Sequence, residues 1–483
     1  MNWRVIINIS GYLVLFLGLV MIFPLLTGLC FGESALVYPF LLSIVITSGC
    51  GGAMILLSRT SATLSLGKRE SMVVVGLCWG AAGLFGALPF YFSELLPGFT
   101  DALFESVSGF TTTGASVLTD IESAPRGLLF WRSFIQWLGG MGIIVLSVAI
   151  LPFLGVGGMQ LYKAEVPSPV PDKLQPRISE TAKTLWKVYL LFSLTEVVLL
   201  KIGGMNMFDA ACHTFTTMPT GGFSTRNLSV GAYGSLYYDM IILVFMVFAG
   251  INFSLHYQML RGRPLTIWRD AEGRFFLCGV AVLIVLVSFN LYGSVYQSIG
   301  QAMRYGSFQV VSIITTTGFT TADYETWPAL SQLILFFCMF VGASAGSTGG
   351  GMKIIRIMLC FKYCYRELFS LIHPKAVSHV KIAGKTVPGE VMRSIMGFLS
   401  LYIIIFVVSS FLLAGMGVDA VTSIAAVAAS LGNIGPGFAA VGPLDNFALI
   451  PAVGKWLLIL CMLLGRLEIY TLIILLVPEF WRK

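Results

Sequence analysis

The chain has 483 residues, of which 57% are hydrophobic and 11% charged, with a mean hydropathy of +0.87 and a net charge of +7. A soluble domain carries charge on about a quarter of its residues, so this composition excludes one and defines a polytopic membrane protein. The positive charge gathers in alternate loops, a mark of membrane topology, and nothing in it points to nucleic acid.

Apolar runs of about 20 residues, the length that crosses a bilayer, fall near 5–30, 38–58, 71–93, 131–155, 185–204, 237–257, 275–296, 329–345 (continuing at 352–363), 393–416 and 455–477, ten in all. Lys and Arg are retained in short cytoplasmic loops. Of the 30, 23 lie in one alternate set of loops and ends: Arg4; Arg59, Lys68, Arg69; Lys163, Lys173, Arg177, Lys183, Lys187; Arg261, Arg263, Arg269, Arg274; Lys353, Arg356, Lys362, Arg366, Lys375, Lys381, Lys385, Arg393; Arg482, Lys483. That set places both termini inside, and ten spans satisfy it. The first run exceeds a signal-peptide core and lacks a small-residue cleavage site, so it is expected to stay as a helix. The nine cysteines occur without a Cys-x-x-Cys pair, and Cys360 and Cys364 read as packing residues in a reducing compartment.

Residues 1–69 hold two spans that stand apart. The remainder reads as four modules, 70–160, 161–262, 263–370 and 371–483, each with the same order of span, half-span, Gly-bearing loop and span. The half-spans, near 100–112, 207–219, 303–316 and 419–432, are too short to cross a bilayer and read as re-entrant helices. Asp101, Asp209 and Asp419 begin three of them, where a carboxylate caps free N–H groups and faces the positive end of the helix dipole. The loops that follow are Thr111-Thr112-Thr113-Gly114, Pro219-Thr220-Gly221-Gly222, Thr315-Thr316-Thr317-Gly318 and Gly432-Asn433-Ile434-Gly435-Pro436-Gly437. Non-helical backbone at bilayer depth persists only inside protein or along a watery path, so four such loops imply one shared pore. Each following span is expected to start with a glycine turn, at Gly139-Gly140, Gly250, Gly342 and Gly465. The expected fold is an all-α polytopic membrane protein, with four tandem helix–pore loop–helix repeats around a central pore plus two N-terminal transmembrane helices.

A desolvated monovalent cation needs several oxygen ligands that replace its hydration shell yet let it leave. Backbone carbonyls meet that need, and turning them to one side requires positive φ, which glycine tolerates and β-branched residues resist. The loops Thr112-Thr113-Gly114, Gly221-Gly222-Phe223-Ser224-Thr225, Thr316-Thr317-Gly318 and Asn433-Ile434-Gly435, with Gln136-Trp137, the run Gly346–Gly351, His373-Pro374 and Gly465-Arg466-Leu467-Glu468, resemble the Trk/Ktr/HKT cation transporters, in their Trk-type potassium-uptake branch. The resemblance spans essentially the whole chain. It implies a K⁺ selectivity filter at Thr112, Thr113, Gly114, Pro219, Thr220, Gly221, Thr316, Thr317, Gly318, Asn433, Ile434 and Gly435, with K⁺ as the transported ion and the metal held there. Gly114, Gly221, Gly318 and Gly435 carry over as filter glycines. In that superfamily Ser at the first position accompanies Na⁺ preference and four glycines accompany K⁺, so Gly114 favours K⁺. Pro219 departs from the pattern and leaves the ligand set of the second loop open.

The eighth span is interrupted at 343–351, a run that does not hold a helix because each Gly is about 1 kcal/mol less favourable than Ala. A phosphate-binding loop is not met, since Gly351 is followed by Met352 before Lys353. The resemblance implies instead that this run lies beneath the filter and obstructs conduction, a gate of Gly346, Ser347, Thr348, Gly349, Gly350, Gly351 and Lys353. Arg466, an ionisable residue within a span, reads either as a structural partner of Glu468 or of a carbonyl, or as part of the gate, donating to the loop's carbonyls and repelling cations. Residues 380–387 read as a hairpin around Ala383-Gly384 in the long basic segment 363–393. The resemblance makes that segment a docking surface for a cytosolic TrkA-type subunit that binds NAD or ATP, so no nucleotide is bound by this chain. It also implies a homodimer in the bacterial cytoplasmic membrane, surrounded by the lipid bilayer. No catalytic constellation is present: His213, His256, His373 and His379 are scattered. The rival readings are a Na⁺-permeable member of the same family and an ion-coupled secondary transporter of another solute. The latter usually has inverted repeats, whereas these modules run parallel. Channel-like conduction and coupling to H⁺ or Na⁺ both fit the residues.

Overall fold

The computed structural model describes residues 1–58, 68–154, 178–376, 378–382 and 385–482. Arg59, Lys163, Lys173, Arg177, Lys483, the hairpin tip Ala383-Gly384 and the module junction at 160–161 lie outside the described residues. Helices stand at all ten expected span positions. Trp3–Cys30, Ser34–Leu57, Arg69–Phe92, Ala271–Leu291 and Gly389–Gly415 are continuous and apolar enough to cross a membrane, while Arg126–Leu154 and Ile178–Ile202 are long helices of 29 and 25 residues. Two further spans are bent pairs, Leu236–Gly250 with Phe253–Leu260 at 105° and Ala452–Arg466 with Tyr470–Leu476 at 113°. The eighth is Ala329–Cys338, then irregular backbone, then Ile354–Ile372.

The glycine turns therefore do not begin the spans. Gly250 ends the first half of the sixth span and Gly465 lies one residue before the end of the first half of the tenth. The cause is packing. A Cβ on Gly139 would stand 2.0 Å from the Phe110 carbonyl oxygen and one on Gly465 2.1 Å from that of Leu431, so these glycines let a span touch the end of its own half-helix.

The half-helices are Phe99–Phe110, Met207–Thr217, Ile299–Ile314 and Ala420–Leu431. Residues 102–110 and 425–431 are buried without a break, as expected of helices surrounded by protein on every side. Large apolar side chains such as Phe289 and Phe411 instead lie exposed on the outer helices, where a bilayer solvates them. Of the three acidic residues, only Asp419 is a cap, accepting from Thr422 N at 3.0 Å. Asn206 caps the second half-helix, accepting from Asp209 N at 2.8 Å. Asp101 sits in the first turn and pairs with Lys455 at 2.6 Å. Strands Lys381–Ile382 and Lys385–Thr386 pair antiparallel, and Val387 N donates to Val380 O at 2.9 Å, as the hairpin reading expected.

Candidate functional site

Each half-helix runs out directly into its loop, and the four loops share one backbone pattern. Thr112, Thr220, Thr316 and Asn433 have φ of 53°, 58°, 60° and 55°, and two residues on Gly114, Gly222, Gly318 and Gly435 have φ of 83°, 73°, 82° and 100°. The amides of Thr113, Gly221, Thr317 and Ile434 each donate five residues back, to the carbonyls of Ser108, Thr216, Ser312 and Ala429, at 2.8–2.9 Å. This equivalence corrects the second loop by one residue. Gly222 stands where Gly114, Gly318 and Gly435 stand, Gly221 where the other loops have Thr113, Thr317 and Ile434, and Pro219 where they have Thr111, Thr315 and Gly432.

The left-handed residues are a second departure. Glycine was expected to carry the positive φ, yet three of the four leading positions are threonine, for which this region costs about 1–2 kcal/mol. Strain of that kind persists where the surroundings over-determine it and gathers at functional sites. All four leading residues are buried, and the fourth is asparagine, which tolerates the conformation better.

The loops close on one another. A Cβ built on Gly114 would lie 2.1 Å from the Gly221 carbonyl oxygen, on Gly222 1.9 Å from that of Thr317, on Gly318 1.9 Å from that of Ile434, and on Gly435 2.8 Å from that of Thr113. Loop one touches two, two touches three, three touches four and four touches one. A second tier repeats the circuit: Ile121 N donates to Asn227 Oδ1 (2.8 Å), Gly231 N to Thr320 O (3.0 Å), Ala439 N to Glu325 Oε1 (2.5 Å) and Phe447 N to Ser116 O (2.8 Å). In this tier, beyond the spans, the Asn227 amide holds the Asp120 carboxyl below its ordinary value, while burial pushes that of Glu325 up.

Braces behind the ring follow the same register. Glu105 accepts from Ser116 Oγ (3.1 Å) and Val117 N (2.9 Å), and His213, its equivalent, meets Ser224 Oγ at 3.1 Å. Arg132 joins the two repeats: Nε meets Glu105 Oε1 at 2.5 Å, Nη1 donates to Ser224 O at 2.9 Å, and the guanidinium lies 3.7 Å from the Phe223 ring centroid. Glu105 and Arg132 are both buried. Nothing in the sequence pattern marked this pair; charged residues within apolar runs, where ionisable groups are expensive, are the signal that could have found it.

The interrupted stretch of the eighth span packs against the ends of three half-helices. Thr348 Oγ1 donates to Met218 O at 2.9 Å, and Gly350 N donates to Thr316 Oγ1 at 2.7 Å. A Cβ on Gly349 would meet the Thr315 carbonyl oxygen at 3.1 Å and one on Gly350 that of Gly432 at 2.8 Å. Glycines let this stretch lie flat against the loops. Its own fold is held by Gly342 N to Met352 O (2.8 Å), Ser344 N to Gly250 O (3.0 Å), Phe253 N to Gly346 O (3.1 Å) and Ala345 N to Glu272 Oε1 (2.7 Å). Ser347 Oγ donates to Ser344 O at 2.5 Å, and Lys353 Nζ donates to Gly349 O. Arg466 Nη1 donates to Thr348 O at 2.8 Å and Nη2 to Gly139 O at 3.3 Å, whereas Glu468 pairs with Arg356 at 2.5 Å. The residues expected at a gate are therefore brought together, with Gly351 closing against Gly342.

The fold and the site define a polytopic α-helical membrane protein with four re-entrant loops closed into a ring. The chain belongs to the TrkH family of cation transport proteins, whose family model matches residues 40–483. It is 44% identical to the Trk system potassium uptake protein TrkH of Escherichia coli K12 over 495 residues, covering 100% of both chains. It is 37% identical to the Trk system potassium uptake protein TrkG of the same organism, covering 99% of each. The crystal structure of the potassium transporter TrkH from Vibrio parahaemolyticus superposes with a TM-score of 0.90 at 40% identity, over 100% of both chains. This is a family of transporters rather than enzymes.

Proposed function

We propose that this chain carries K⁺ into a bacterial cell across the cytoplasmic membrane, through the ring of loops, with the 343–351 stretch and Arg466 as the gate. The closed circuit of glycine-to-carbonyl contacts carries the reading, because it sets a backbone oxygen of each repeat against the next, and backbone oxygens are the ligands an ion shedding water needs. The ligands are the carbonyls of 112–114, 220–222, 316–318 and 433–435, and the half-helix C-termini add their partial negative charge. The packing of 343–351 against Met218, Thr316 and Gly432, at the ends of three half-helices, supports the gate. The basic segment 363–393 is the docking surface for a cytosolic TrkA-type subunit that binds NAD or ATP, both termini face the cytosol, and the protein acts as a homodimer.

Rb⁺ influx into liposomes, competed by K⁺, Na⁺ or Cs⁺, tests the reading. K⁺ is expected to compete and Na⁺ to compete far less. Equal competition by Na⁺ replaces K⁺ selectivity with the Na⁺-permeable reading, and absence of Rb⁺ influx with and without the cytosolic regulator removes conduction altogether.

A further inference from the structure

We infer that Gln136 takes the place of a missing side chain in the second loop, holding the Gly221 peptide from behind the ring and thereby setting part of the selectivity proposed for the loops. The inference rests on the filter reading above.

Three of the four residues at this ring position are β-branched, Thr113, Thr317 and Ile434, and the fourth is Gly221. Gly221 does not have positive φ, unlike its neighbour Gly222, so backbone conformation does not call for glycine there. Space does. A Cβ on Gly221 would stand 2.4 Å from both Cδ and Oε1 of Gln136 and 2.8 Å from Nε2. The glutamine side chain, wholly buried, fills the volume that a β-branched side chain fills in the other loops.

It also replaces their bracing. In the first loop the Thr111 and Thr113 hydroxyls bond at 2.7 Å, and in the third those of Thr315 and Thr317 at 2.8 Å. The second loop has Pro219 and Gly221 at these places and can make no such bond. There Gln136 Nε2 donates to Gly221 O at 2.7 Å and Oε1 accepts from Phe223 N at 3.1 Å, so one amide grips the loop on both sides of Gly222. Among the described residues, no donor is paired with the carbonyls of Thr113, Thr317 or Ile434. The Gly221 oxygen is thus the one ring carbonyl that shares its lone pairs with a protein N–H, and it offers an ion a weaker field. Met462 stands three residues before Gly465, as Gln136 stands three before Gly139, and its side chain carries no N–H donor.

Four variants, read by Rb⁺ influx and by competition with K⁺ and Na⁺, test this. Gln136→Met keeps the volume without either bond, and the preference for K⁺ over Na⁺ is expected to fall about tenfold, the scale of one or two buried hydrogen bonds. Gly221→Thr alone is expected to abolish influx, because its side chain meets Gln136. Combining Gly221→Thr with Gln136→Ala supplies a Thr beside an emptied site, and influx is expected to return, with the K⁺ preference still lowered because neither Gln136 bond is present. Unchanged selectivity in Gln136→Met, or a double variant no better than Gly221→Thr, overturns the inference. Gly318→Ala is the control on the reading beneath it: if it keeps parental flux and selectivity the filter reading fails, whereas if it loses them while Gln136→Met does not, only the role of Gln136 fails.

Discussion

Alanine placed in turn at Gly114, Gly222, Gly318 and Gly435 is expected to damage transport unequally. All four have φ between 73° and 100°, so each substitution carries a left-handed conformation penalty of about 1–2 kcal/mol, a factor of roughly 5–30 in the population of the native loop. The second contribution differs. At Gly114, Gly222 and Gly318 the new Cβ would lie 2.1, 1.9 and 1.9 Å from a backbone oxygen of the next loop, which has to leave the ring; at Gly435 the distance is 2.8 Å, with Gly114 C and O at 3.0 and 3.1 Å, so backbone has to shift there too, but by the least of the four. Overpacking of this kind adds about 1–3 kcal/mol where neighbours can yield, and backbone fixed from both sides yields least. Gly435→Ala is therefore expected to keep measurable K⁺-competed Rb⁺ influx in liposomes, and the other three to lose it or lose their preference for K⁺. The reasoning is refuted if Gly435→Ala is the most damaging of the set, or if Gly222→Ala transports like the parent.

Arg466→Ala removes the bond to Thr348 O; a hydrogen bond from a charged group is worth about 1.5–3 kcal/mol, so Rb⁺ leak without any cytosolic regulator should rise roughly 10- to 100-fold. An unchanged leak would remove Arg466 from the gate. Arg132→Ala strands a buried carboxylate and should lower the yield of folded protein in detergent, at about 3–5 kcal/mol, whereas pairing Arg132→Met with Glu105→Gln should restore much of it. Equal yields for the single and double variants would show that the pairing is not what matters.

The spans, the half-helices and the four loops were legible because each is written locally, in run length and in the Thr/Gly signature. What escaped depends on contacts far along the chain. Thr-Gly-Gly offers two glycines, and only the fold reveals that Gly222 carries the left-handed turn while Gly221 makes room for a side chain 85 residues earlier. Likewise, Asp101 and Asp209 look like caps in isolation, yet Lys455 and Thr225 draw them elsewhere, the latter through a 2.7 Å bond. The glycine turns were misplaced because their reason is the half-helix they touch. Threonine at positive φ contradicts local preference outright, and only the bonds and burial around Thr112, Thr220 and Thr316 hold it there.

The circuit also has a consequence for how the protein is made. Asn433 Nδ2 reaches Thr113 Oγ1 across 320 residues and Lys455 reaches Asp101 across 354, so the first loop is synthesised long before the partners that complete it. At about 5–20 residues per second, the wait is roughly 16 to 70 s. Once the second repeat is made, Arg132 can join it to the first, and the circuit stays open on one flank until the fourth loop arrives, with backbone that lipid cannot satisfy. A chain truncated before the fourth repeat is therefore expected to be degraded faster than the full chain in a pulse-chase experiment.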